Sequence, residues 1–81
     1  MKTVGESVGK FVPMWCVEPG NCGAKRVAKI LSCDEETQWV RYEMMDGPNK
    51  GTVKKSRYDR SQKVKVFDTV EETLKEIAGE G

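Results

Sequence analysis

Residues 38–58 read QWVRYEMMDGPNKGTVKKSRY, and this stretch decides the fold. Polar and apolar side chains alternate over residues 38–45, which predicts a strand with one buried and one exposed face. The turn-forming residues DGPNKG follow at 46–51, and a second alternating run occupies 52–58. The stretch therefore predicts a β-hairpin. On its first strand we expect one face to be buried and the other exposed. The buried face would carry Val40, Tyr42 and Met44, and the exposed face Trp39, Arg41 and Glu43.

Three other segments also predict strands, at residues 10–18, 24–33 and 62–67. Pro13 has no N–H to donate to a ladder, so the first of these strands either lies at a sheet edge or contains a bulge. In the last segment Val64 alternates with lysines and is expected to point inward, as is Val66. Ten valines against two leucines and two isoleucines suit strands better than a helical core.

Residues 68–79 predict the one helix of the chain. Asp68 with Glu71, or Thr69 with Glu72, has the spacing of a capping box. The apolar side chains that follow lie on one helical stripe. An isolated helix of this length is marginal, so we expect it to dock on the sheet or on a partner. The predicted stripe consists of Val70, Leu74, Ile77 and Ala78.

The segments together predict a mainly β protein, a small five-stranded barrel with a C-terminal α-helix. The 81 residues allow one domain. Its parts are a flexible N-terminal segment at 1–9, the barrel at 10–67 and an amphipathic helix at 68–79.

The stretch from Ala24 to Tyr58 resembles the core of the SH3-like and Tudor-like group of small β-barrels. The resemblance lies in VAKI at 27–30, WVRY at 39–42 and TVKK at 52–55, with turns at 34–37 and 47–51. Membership would imply an SH3-like barrel that binds nucleic acid, a proline-rich peptide or a methylated side chain.

Catalytic and metal chemistry find little support in the composition. Histidine is absent, which removes the commonest general base and metal ligand. Cys16, Cys22 and Cys33 lack the paired spacing of a zinc site, although Asp34 could be a fourth ligand on paper. We expect no catalytic residue, no metal and no cofactor. The cysteines are best read as packed thiols, with a Cys16–Cys22 disulfide as an alternative.

The compartment is predicted from the same features. An odd number of cysteines and an N-terminus without an apolar signal predict a cytoplasmic protein. No apolar run approaches the ~20 residues of a membrane span, so no membrane partner is expected.

Charge is distributed unevenly along the chain. Residues 24–66 carry eleven basic and six acidic side chains, whereas residues 67–81 carry one lysine and five acids. Cations interleaved with flat aromatic rings suit an acidic protein surface or a nucleic acid. If the strands at 52–58 and 62–67 pair, four or five cations would form one patch. The predicted binding residues are Trp39, Arg41, Lys54, Lys55, Arg57, Tyr58, Arg60, Lys63 and Lys65.

The sequence therefore predicts a small non-catalytic binding module that engages another protein or further copies of itself. Its size and organisation are typical of phage or mobile-element proteins that inhibit a host factor, which would make it a viral protein. The alternative is a nucleic-acid-binding barrel that uses the cations of residues 54–65 for phosphates, with Trp39 or Tyr58 stacking on bases. A third hypothesis is a pocket between protomers for an anionic small molecule.

Overall fold

The computed structural model describes residues 1–80, apart from the side chains of Asn21 and Glu80, and its elements follow the predicted order with two additions. Strand bounds differ by at most three residues from those expected, and residues 2–3 form an extra strand. The elements are β1 (Lys2–Thr3), a 3-10 turn (Gly5–Ser7), β2 (Phe11–Glu18), β3 (Asn21–Asp34), β4 (Trp39–Met44), β5 (Val53–Arg57), β6 (Lys63–Val64) and the helix α1 (Val70–Glu80).

The main sheet is an open antiparallel meander of four strands in the order β2-β3-β4-β5. The mainly β class with a C-terminal helix is confirmed. A closed five-stranded barrel does not form, because the segment expected as the fifth strand pairs elsewhere. Within it β6 pairs with β1, and Phe67 bridges to Phe11 at the start of β2. Both β2 and β5 are consequently sheet edges, and the predicted edge position of Pro13 is correct.

The predicted faces of β4 are confirmed. Val40 and Met44 are buried, Tyr42 is half-buried, and all three face the core. Burial of this face contributes to the hydrophobic stabilisation of the domain. The buried apolar cluster consists of Val4, Val12, Cys16, Ala28, Ile30, Val40 and Met44.

Residues 1–9 are part of the packed fold, in contrast to the flexible lead-in that the sequence predicts. Val4 belongs to the apolar cluster, and Ser7 is fully buried with its hydroxyl donating to the Thr3 carbonyl at 2.7 Å. The low periodicity of this segment concealed a short strand and a 3-10 turn that cover one end of the core.

Helix α1 packs on the opposite face of the sheet, against β2 and β3. Thr69 caps it, since its Oγ1 accepts the Glu72 N–H at 3.1 Å, as one of the two capping boxes predicts. The docked stripe differs from the predicted one: Thr73 is fully buried and Leu74 is 41% exposed. Thr73 tolerates burial because its hydroxyl donates to the Thr69 carbonyl at 2.9 Å.

An ion pair links the beginning of β2 to the residue that precedes the helix cap. Lys10 Nζ lies 2.6 Å from Asp68 Oδ1, and this hydrogen bond, with the lysine charge, lowers the pKa of Asp68 below its ordinary 3.8. A carboxylate with a depressed pKa in the folded state stabilises the fold above its unfolded pKa, and the benefit disappears as the pH falls through the folded pKa.

We therefore expect Asp68→Asn to lower the melting temperature slightly at pH 7 and to have no effect in acid. The melting curves of the wild type and the variant should converge as the pH falls through the lowered pKa of Asp68. Differential scanning fluorimetry across the acidic range measures this. A constant difference at every pH would mean that the pair does not contribute through its charge.

Candidate partner-binding site

The outer face of β4 and β5 is left open because α1 covers only the β2–β3 side of the sheet. Trp39 lies on this open face and is 37% exposed, as its alternation with Val40 predicts. A large aromatic side chain left exposed on a sheet is a common feature of interaction sites.

Two cations from β5 flank the Trp39 ring. Lys55 Nζ lies 5.4 Å and Arg57 Cζ 5.3 Å from the ring centroid. Both distances are within the range of a cation–π contact. The register explains the arrangement, because Arg57 is directly opposite Trp39 and Lys55 is two residues before Arg57 in β5. Side chains two residues apart share one face of a strand.

A third cation completes a like-charged cluster. Arg41 is directly opposite Lys55 in the β4–β5 ladder. Like charges at such positions destabilise a sheet. Within residues 1–80, none of Arg41, Lys55 and Arg57 forms an ion pair, so the repulsion has no local compensation. We call these three residues and Trp39 the Trp39 cluster.

A shallow depression of about 370 Å³ lies beside the cluster. Its single carboxylate, Asp34, is engaged in the β3–β4 turn, where Oδ1 accepts the N–H groups of Glu36 at 2.9 Å and Thr37 at 3.3 Å. Hydroxyl groups of two other residues are available as donors. The depression is lined by Ser32, Asp34, Thr37, Trp39, Arg41 and Lys55.

Ser32 and Thr37 were not predicted as site residues. Ser32 stands opposite Arg41 because the β3–β4 register shifts between Ile30 and Ser32. A β-bulge of this kind places a side chain on a face that simple alternation does not give. No sequence signal locates the bulge, so only the fold reveals these two hydroxyls.

The remaining predicted cations lie outside the cluster. Lys54 is half-buried on the opposite face of β5, as its alternation with Lys55 predicts. The strand that carries Lys63 pairs with β1 rather than with β5, so the extended patch of four or five cations does not form. Lys65 is bound to Glu76 of the helix at 2.6 Å. Arg60 is exposed and reaches the Glu36 carbonyl at 3.5 Å.

Tyr58 does not stack beside Trp39, because it packs against the apolar cluster. Its Oη lies 2.6 Å from Cys33 Sγ. This hydrogen bond, together with desolvation, raises the pKa of Tyr58 to about 12. The ring is therefore a neutral packing residue, and the stacking role predicted for it falls to Trp39 alone.

The three cysteines are unlinked: Cys16 is buried, Cys33 is half-buried and Cys22 is exposed. The alternative of a Cys16–Cys22 disulfide is therefore wrong. Burial raises the pKa of the Cys16 thiol, which makes it a poor nucleophile. In residues 1–80, no group of three or more cysteine or acidic side chains is arranged to hold a metal ion.

A second concavity of about 360 Å³ is lined by core residues and by residues of both edge strands, including Pro13 and Trp15 of β2. Arg57 is the charged residue of a lining that is otherwise apolar or neutral. An anionic small molecule would meet more positive charge in the depression beside Trp39. Representative lining residues are Met14, Tyr42, Ser56, Tyr58, Gln62 and Val64.

Over the described residues, the helix is too short and too polar to cross a bilayer. Comparison with protein-family models, with curated proteins and with solved structures found no match.

Proposed function

We propose that the chain is a small non-catalytic binding module that holds an acidic segment of another protein on the outer face of β4 and β5. The observation that supports this proposal is the Trp39 cluster, in which two cations contact an exposed indole and a third is opposite one of them, all three without carboxylate partners. An anionic ligand would relieve the repulsion between Arg41 and Lys55. Trp and Arg are also the residues that most often dominate binding energy at protein interfaces.

Single-stranded nucleic acid is the second candidate, and the cations beside Trp39 are the observation that favours it. Two features make it the weaker one. Lys55 and Arg57 already contact the indole, so a base could stack there only by displacing one of them. A carboxylate could pair with either cation and leave both contacts intact. The cluster also offers only three cations for phosphates, since Lys63 and Lys65 lie elsewhere.

Two finer predictions from the sequence belong to this proposal. One is kinship with the SH3-like and Tudor-like group, for which the hairpin of β4 and β5 is the resembling element. The other is a role as a phage or mobile-element inhibitor of a host factor. Masking an acidic surface of a host protein with the Trp39 cluster would be the mode of inhibition.

The proposal is tested by reversing the charge beside Trp39. We expect the double variant Lys55→Glu/Arg57→Glu to bind a fluorescein-labelled peptide rich in Asp and Glu at least about tenfold more weakly than the wild type. Both side chains are exposed, so the fold should persist, which circular dichroism would verify. Lys50→Glu/Lys75→Glu is the matched control, because it changes the net charge equally at exposed positions outside the cluster. Fluorescence anisotropy measures both affinities.

Equal losses in the two double variants would show that only net charge matters and would contradict a specific site. A labelled oligothymidylate in the same assay tests the second candidate. Three phosphate contacts on a single strand should give a slope of about −2 in log K against log salt. Tighter binding of the oligothymidylate than of the peptide, lost in Lys55→Glu/Arg57→Glu, would replace the protein ligand with nucleic acid.

A further inference from the structure

The second half of β2 is an exposed strand edge that carries two large apolar side chains. Trp15 is 61% and Val17 is 72% exposed. Among the described residues, β3 alone pairs with this half of the strand.

The orientation of the backbone follows from the first residues of β2. Phe11 exchanges hydrogen bonds with Phe67 at 3.0 and 2.9 Å on the side away from β3. The Lys10 carbonyl instead accepts the Ile30 N–H on the β3 side. The backbone N–H and C=O groups of successive residues in a strand point to opposite sides of it. Those of Pro13, Trp15 and Val17 therefore point to the same side as Phe11, away from β3 and toward the open edge.

That alternation persists to the end of the strand. Cys16 pairs with Ala24 and Glu18 pairs with Asn21, so two steps along β2 face three steps along β3. The extra residue of this irregularity therefore lies in β3. The burial of Cys16 and Glu18 on either side of exposed Val17 agrees with a regular pleat in β2.

One side of the exposed indole packs against the backbone of β3. Gly23 of β3 has φ +133°, and a Cβ built on it would lie 2.6 Å from three atoms of the Trp15 ring. The ring therefore lies directly against the β3 backbone, where only glycine leaves room. A rigid aromatic surface loses little conformational entropy when a partner covers it.

We propose that a second copy of this chain covers this edge through antiparallel pairing of β2 with β2 about a two-fold axis at Cys16. Trp15 of one copy would then be opposite Val17 of the other, and these two residues would exchange four backbone hydrogen bonds across the axis. Pro13 and Pro19, which have no N–H, are equidistant from Cys16 and end the ladder symmetrically. This self-complementary spacing identifies the occupant as a second copy.

Charge distinguishes this edge from the opposite one. From Phe11 to Val17 the strand has no charged residue, and Glu18 is neutralised by Arg26, whose guanidinium makes two contacts of 3.0 Å to its carboxylate. Two copies of β2 therefore meet without repulsion. Edge β5 instead carries Lys54, Lys55 and Arg57, and cations on an edge strand prevent pairing with another chain.

Sedimentation velocity over a range of concentrations tests the dimer. We expect the wild type to dimerise, Val17→Lys to raise the dimer dissociation constant at least about tenfold, and Val53→Lys to leave it unchanged. Val53 is the matched control, because it is an exposed valine on edge β5. The Lys55→Glu/Arg57→Glu variant should also dimerise, so this result is independent of the proposed ligand site.

Amide hydrogen exchange gives a second measurement that needs no variant. The N–H groups of Trp15 and Val17 should exchange slowly at high protein concentration and rapidly in dilute solution, while the Cys16 N–H, which faces β3, stays protected in both. A wild-type protein that is monomeric at every concentration overturns the proposal. Dimerisation that survives Val17→Lys, or that is lost in Val53→Lys, overturns it equally.

Discussion

Met44→Ala is expected to lower the free energy of unfolding by about 3 kcal/mol, the largest effect that we anticipate for a single substitution in this chain. Met44 is 1% exposed and faces Ala28 across the β3–β4 ladder. Its sulfur lies 3.8 Å from Cys16 Sγ. The small Ala28 side chain cannot fill the space that the substitution would open.

The backbone also prevents collapse around that space. Met44 donates its N–H to the Thr52 carbonyl at 2.9 Å and accepts the Gly51 N–H at 2.7 Å, so the β4–β5 turn closes on this residue. A cavity that cannot relax carries the full cost of the lost contacts. In a domain of this size, about 3 kcal/mol is a large part of the total stability.

Urea denaturation measures the loss, with Met44→Leu and Met45→Ala as controls. Leucine nearly conserves the volume and should cost less than about 1.5 kcal/mol. Met45 is only half-buried, so its truncation should cost less than that of Met44. A Met44→Ala variant as stable as Met45→Ala would show that the core is plastic at this position.

Asp46→Ala should destabilise the fold by about 2 kcal/mol through a single backbone hydrogen bond. Val27 is fully buried, and its N–H donates to Asp46 Oδ1 at 2.6 Å. The Val27 carbonyl accepts the Met45 N–H at 2.9 Å. The residues after β4 thus satisfy the backbone of β3 where the ladder between these strands ends.

Asp46→Asn separates the hydrogen bond from other roles of the residue. Its amide oxygen retains an acceptor, so most of the stability should return in the same urea assay. Exchange of the Val27 amide proton should accelerate in Asp46→Ala and not in Asp46→Asn. Equal stability of the two variants would mean that water satisfies the Val27 N–H and would contradict the assignment.

Strong local patterns account for the parts of the fold that were predicted. Alternation over residues 38–45 assigned both faces of β4, and the density of turn residues at 46–51 located the hairpin. Thr69 with Glu72 marked the helix start. Each of these signals depends on residues only a few positions apart, so it can be recognised from the sequence alone.

The binding site could be predicted only in part for the same reason. The alternation placed Trp39 and Arg41 on one face of β4, and Lys55 and Arg57 on one face of β5. Pairing of β4 with β5 puts these two faces on the same side of the sheet. The sequence could not show that β6 pairs with β1, which separates Lys63 and Lys65 from the cluster. It also could not locate the bulge that turns Ser32 toward Arg41.

The sequence was enough to predict the mainly β class, the C-terminal helix, an edge position for Pro13 and the side of β4 on which Trp39 lies. The tertiary structure alone decided that the sheet stays open, that Thr73 docks in place of Leu74 and that Trp15 lies exposed on an edge. The first group depends on periodicity and on the missing N–H of one residue. The second depends on contacts between residues far apart in the chain. The free energy of these contacts depends on how the strands and the helix pack together, which local sequence patterns do not specify.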